Sequence, residues 1–232
     1  MSKDLEVALK ELASSASDNC LKFGAVHVQG MQAAAHPLLL WLDYLEKSQL
    51  TGHANVLVEG ARSAINEGAA CLSLGLVRSA IMSIRLQIDL ALAWVYFKDH
   101  HVEWGRVQTT GDGFKTKKDL LDYFKEHAGF STRFGLLKEC ITRVEVEPYR
   151  LLSAHIHAQS EYVVPSVAAP CDIVASHALQ VEVIKLQRET SEYISDVYWS
   201  LYAEKWPSLP AQLRDELEIR FKTPAQKKTF WS

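Results

Sequence analysis

Apolar residues recur along this chain at intervals of three and four, the repeat of a helix with one buried face. Leu5, Leu9 and Leu12, set between charges, predict a helix over 3–14. Leu38, Leu42 and Leu45 predict another over about 31–48, which Pro37 either kinks or starts. Val58, Ala61, Ile65 and Ala69 mark a helix over 54–69, with Asn66, Glu67 and Gly68 as its expected end. The strongest pattern runs from Leu72 to Lys98, where Val77, Ile81, Ile84, Ile88, Leu92 and Val95 hold the repeat and Leu76, Ala80, Leu90 and Ala91 widen it. A helix so broadly apolar is expected in the middle of the fold.

A break is expected over Gly105–Gly113, followed by a capping box in which Thr116 and Asp119 start a short helix to about Glu126. Phe130–Arg143 and Pro148–Glu161 read as two further helices, the second with proline in its first turn and Glu145 and Glu147 at its positive end. The segment 163–170 carries two prolines and no periodicity and reads as a loop. A long helix over about 172–205 is expected to end at Pro207 and Pro210. A last helix over 211–221 then precedes a basic tail with Lys222, Lys227 and Lys228. No alternation of the strand type appears. The pattern predicts an all-α bundle of about seven to nine helices, forming one domain over 1–232.

Composition narrows the function classes. A net charge of -3 excludes a bulk electrostatic grip on nucleic acid or anionic lipid, though not a local basic patch. The four cysteines, Cys20, Cys71, Cys140 and Cys171, have no zinc-type spacing and read as free thiols of a reducing cytoplasm. No signal pattern opens the chain, and neither export nor a membrane span is expected. No phosphate-loop or dinucleotide fingerprint is present.

Candidate chemistry gathers in two places. In the segment 148–161, Arg150, Ser153 and His157 follow at i, i+3 and i+7 and share one helical face. Arg150 thus forms an Arg-x6-His pair with His157 and an Arg-x4-His pair with His155. The two histidines lie about 200° apart around the helix and cannot serve one face. Histidine suits the task of a base beside a 2′-hydroxyl, and arginine offers planar donors to a phosphate, so the pair fits RNA cleavage without metal. A carboxylate-paired arginine and a hydrogen-bonded histidine would give the same spacing. On the central helix, Arg78, Met82, Arg85, Asp89 and Tyr96 form a polar stripe, in which Arg85 and Asp89 are spaced to pair. Asp99, His100, His101 and Glu103 offer metal-ligand types, but adjacent histidines diverge, and no metal or other cofactor is expected. Trp199, Tyr202 and Trp206 read as either core or an aromatic anchor for a partner.

The striped helix ending in Tyr96-Phe97-Lys98-Asp99-His100-His101-Val102-Glu103-Trp104, with Tyr149-Arg150-Leu151-Leu152-Ser153-Ala154-His155-Ile156-His157 downstream, resembles HEPN-type helical proteins over about residues 54–160. The resemblance implies a four- to five-helix core, found in prokaryotic toxin–antitoxin and phage-defence systems, with an Arg-x4–6-His signature. It implies a metal-independent RNase in which dimerisation brings two motifs together, with Arg150 and His157 or His155 catalytic and Arg85, Asp89 and Ser153 supporting. It also admits a catalytically silent subunit that binds RNA or a partner protein. Active members often carry Asn, Asp or His after the arginine, where this chain has Leu151. A homodimer is expected as well from Val174, Ala178, Val181, Ile184, Ile194, Val197 and Leu201 on the long helix, more apolar surface than one short neighbour covers.

Overall fold

A computed structural model describes residues 3–159 and 161–232. The expected all-α class is what the chain adopts, with eleven α-helices and no strand among the described residues. They are α1 (Lys3–Asn19), α2 (Ala25–Ser48), α3 (Val56–Ser73), α4 (Val77–Phe97), α5 (His101–Thr110), α6 (Lys117–Phe124), α7 (Phe130–Glu139), α8 (Pro148–His157), α9 (His177–Tyr202), α10 (Ala211–Glu218) and α11 (Pro224–Trp231). A π-helical turn, Cys20–Gly24, joins α1 to α2.

The differences from the sequence-based expectation have local causes. Two expected helices, 54–69 and 72–98, meet at Gly75, whose φ of 79° is left-handed and ends the run before α4 begins. Gly105 does not break the chain, because α5 passes through it with open space around its Cα. The stop comes at Gly111, a left-handed C-cap with φ 73°. The long helix is shorter than expected: a 3-10 turn occupies Pro170–Ile173, α9 starts at His177, and after Tyr202 the chain tightens into 3-10 geometry over Ala203–Ser208. The basic tail is a helix, α11, opened by a Thr223–Gln226 capping box and anchored by the fully buried Phe230. The predicted Thr116–Asp119 box and the N-terminal Pro148 of α8 are both present.

The contacts divide the chain into two compact units, each built from three stretches. The first unit comprises 1–35, 63–86 and 147–190. Its core holds Met31, Ala35, Ile65, Leu72, Ile81, Ile84, Leu152 and Val183. The buried Asn19 side chain donates to the Ser73 carbonyl at 2.9 Å and accepts from Gln180 at 2.8 Å, tying α1 to α3 and α9. The second unit comprises 36–62, 87–146 and 191–232. Large rings fill it: Trp41, Trp94, Phe97, Phe124, Phe130, Tyr193 and Tyr198. Trp199 and Tyr202 belong to this core as well, while Trp206 is half-buried against Trp231.

The α4 helix alone, among the described residues, is long and apolar enough to cross a membrane, yet 67% of that apolar window is buried inside the chain. The apolar residues that suggested a dimer are partly consumed by the chain itself, since Ile194 and Val197 are fully buried and Val181 stays exposed.

Candidate functional site: the surface of α8

Helix α8 begins with Pro148 at its first turn and ends at Ala158, a left-handed residue whose N–H returns to the Ala154 carbonyl. The helix therefore stops short of the expected Glu161; Ser160 lies outside the described residues. Pro148 and Leu152 are buried, which fixes the inward face. Arg150 and His157 lie on the opposite side, both exposed, and their side chains make no hydrogen bond or ion pair among the described residues.

Ser153, which the spacing assigned to the same face, has a different fate. It sits toward α4, where its hydroxyl accepts from Arg85 Nε at 3.1 Å. Arg85 also donates through Nη2 to the Tyr149 hydroxyl and lays its guanidinium over the Tyr149 ring, 3.9 Å from the centroid. Burial holds the Arg85 pKa below its ordinary value, and the Tyr149 phenol opposes that shift. Two of the partners of Arg85, Tyr149 and Ser153, are thus on α8. Asp89, one turn further along α4, is half-buried and falls in the second unit.

A second arginine of α4 reaches the other end of α8. Arg78 Nη2 donates to the Ile156 carbonyl at 3.3 Å, among the carbonyls that a helix end leaves without partners. Arg78 and Arg85 are seven residues, two turns, apart, and meet α8 at Ile156 and at Tyr149–Ser153 respectively, so the two helices run antiparallel here. Half-buried His155 stands beside Arg78, and first burial, then the Arg78 charge, lowers its pKa. The neutral imidazole this favours is the form able to accept a proton.

Tyr149 and Ser153 of α8 thus meet Arg85; Ile156 and His155 lie by Arg78; and Arg150 and His157 stay exposed. Sequence spacing alone missed Arg78 as a neighbour of α8. The remaining candidates on α4 and α5 serve the second unit. The Tyr96 hydroxyl donates to Glu103 at 2.8 Å, and Lys115 pairs with the same carboxylate at 2.7 Å. The His100 ring stacks on Tyr96 at 3.9 Å, and His101 stacks on His53. Among the described residues, no three His, Cys, Asp or Glu side chains converge as a metal-binding group.

One cluster has no counterpart in the sequence-based expectation. In the second unit Asp196, fully buried, is held by Arg143 at 2.6 Å and by Arg220. Glu192, one turn before it on α9, accepts from Arg143 at 3.1 Å, from the Thr142 N–H at 2.9 Å and from the Thr142 hydroxyl at 2.6 Å. The available signal was two acids four residues apart in the apolar second half of α9. With its charges paired and Asp196, Arg143 and Arg220 buried, the cluster holds the fold together.

Comparison with known proteins found no matching family model, no matching curated protein and no matching solved structure.

Proposed function

We propose that this chain is a HEPN-like helical protein of the cytoplasm that cleaves RNA without a metal ion, as a toxin or phage-defence effector, with α8 as its working surface. One observation carries the reading: Arg150 and His157 share an outward stripe of α8, exposed and unengaged by the rest of the described chain. Along the axis they are separated by about 10.5 Å of helical rise. Two copies pairing α8 antiparallel across a two-fold axis would set Arg150 of one beside His157 of the other.

In that arrangement His157 removes the proton of a 2′-hydroxyl, and the oxygen attacks the neighbouring phosphorus. Arg150 holds the phosphate and its growing charge. The bond to the 5′-oxygen breaks and that oxygen takes up a proton from water, leaving a cyclic phosphate and a free 5′-hydroxyl. Arg85, through Tyr149 and Ser153, sets the position of the helix that carries both groups.

The second reading, a silent module that binds RNA or a partner protein, is favoured by the use of Ser153 within the chain and by Leu151 after the arginine. RNA cleavage in EDTA by the wild type, His157→Ala and His155→Ala separates the two. Loss of a general base slows cleavage about 10²–10⁴-fold. The RNase reading expects that loss in His157→Ala. Equal rates for His157→Ala and wild type remove His157 from the mechanism, and loss in His155→Ala alone moves the base to the Arg-x4-His pairing. No cleavage of total RNA or tRNA by any of the three favours the binding module.

A further inference from the structure

We propose that Arg78 and His155 form a subsite for a phosphate group at the C-terminal end of α8, separate from the Arg150–His157 stripe. For its occupant, a second phosphodiester of the same RNA strand, the subsite rests on the RNA reading above.

The geometry begins with Arg78. A guanidinium carries five N–H donors in a planar fork. Among the described residues Arg78 places one of them, on the Ile156 carbonyl at 3.3 Å, and that contact holds the group against the last turn of α8. It is half-buried, so its charge is less screened than that of an arginine extended into water. His155, on the turn that Arg78 touches, is also half-buried. The charged group that acts on this imidazole is Arg78, a cation, so protonating His155 sets two positive charges side by side. A bound oxyanion removes that conflict. It accepts from the unused donors of Arg78 and from His155 as an imidazolium, in charge-assisted bonds. The carbonyls at the end of α8 oppose an anion, and the contact of the Arg78 guanidinium with one of them, Ile156, offsets that opposition. Arg85, two turns along α4, is occupied by Tyr149 and Ser153 and keeps the two helices in register without entering the subsite.

Binding and protonation at such a site are coupled, because an anion favours the imidazolium and the imidazolium favours the anion by the same factor. The test is an NMR titration of the histidine ring signals of the intact protein with inorganic sulfate, whose charge is constant across the histidine range. Sulfate should raise the titration midpoint of His155. Arg78→Ala should raise the His155 midpoint without any anion, and should weaken sulfate binding by about tenfold or more. Should Arg78→Ala fold poorly, Arg78→Lys keeps the charge without the fork and should bind sulfate more weakly than wild type. A His155 midpoint indifferent to sulfate in the wild type, or equal sulfate affinity in wild type and the Arg78 variant, overturns the subsite and leaves Arg78 as a cap of α8. An RNA tetranucleotide is the second probe. If sulfate moves His155 but the tetranucleotide does not, and no RNA is cleaved, the subsite stands and the RNA reading fails. RNA cleavage with a His155 midpoint that neither probe moves overturns the subsite while the RNA reading stands.

Discussion

The Arg85 guanidinium lies flat over the Tyr149 ring, 3.9 Å from its centroid, while its Nε donates to Ser153 one turn further along α8. This single side chain joins a central helix to a ten-residue helix too short to hold its own shape in water. Replacing it with alanine removes a cation–π contact and leaves the Ser153 hydroxyl without its donor. The expected cost is about 1–3 kcal/mol, read as a lowered thermal midpoint. Arg85→Lys keeps the charge but neither the plane nor the fork, and should recover less than half of the loss. An unchanged midpoint in Arg85→Ala would show that α8 is held without Arg85.

The buried ion cluster of the second unit predicts a larger effect. Asp196 sits between Arg143 and Arg220 with no access to water. Asp196→Asn leaves two buried guanidinium groups short of a counter-charge, at a cost of about 3–5 kcal/mol. Its neighbour Glu192 supplies a pH dependence. Although burial raises its pKa, hydrogen bonds from Thr142 and the charges of Arg220 and Arg143 bring it below the ordinary glutamate value. A carboxylate whose folded pKa is depressed stabilises the fold above the unfolded value of about 4.3 and loses that contribution as pH falls through the folded value. Urea unfolding of wild type and Glu192→Gln from neutral to acid pH should therefore converge as pH drops. A stability difference independent of pH would exclude this titration.

What the sequence revealed and what it hid follow the range of the interactions. The Thr116–Asp119 box and the first-turn Pro148 are local, and both were legible from spacing. The apolar repeat of α4 was legible for the same reason. Gly75 was not, because a lone glycine inside an apolar run reads as a tolerated helical residue. Its left-handed turn is supported from outside that run: the Gly75 carbonyl accepts from the Ala175 N–H at 2.9 Å, a residue far along the chain. Gly105 misled in the opposite direction, as a helical glycine with nothing crowding it. At α8, spacing placed Arg150 and His157 on one face correctly. It did not show that Ser153 would turn to Arg85 or that Arg78 would reach Ile156, since each depends on the antiparallel pairing of α4 with α8. The Asp196 cluster draws on residues from 143 to 220, and no local pattern reports such a grouping.

The last prediction concerns His27, which is fully buried in the first unit just beyond the π-helical turn. Its Nε2 lies 3.2 Å from Nδ1 of exposed His177 at the start of α9, and Phe23 stacks on His177 at 4.2 Å. Two neutral imidazoles share one proton along such a contact, whereas two imidazolium rings present only donors to each other and repel. Burial lowers the His27 pKa most, His177 lowers it further, and the Leu72 backbone opposes without completing a hydrogen bond to Nδ1. The folded chain thus takes up a proton at His27 less readily than the unfolded chain, whose histidines titrate near about 6.5. Stability from this group is complete above that value and declines as pH falls from it toward the depressed folded value. Below the folded value both states carry the proton and the dependence levels off. A His27→Gln variant keeps a polar side chain for His177 but cannot titrate. Its stability at neutral pH should fall below that of wild type, and the gap should narrow on going from neutral pH to mildly acid conditions. Equal slopes of stability against pH in the two proteins over that range would show that His27 does not titrate there.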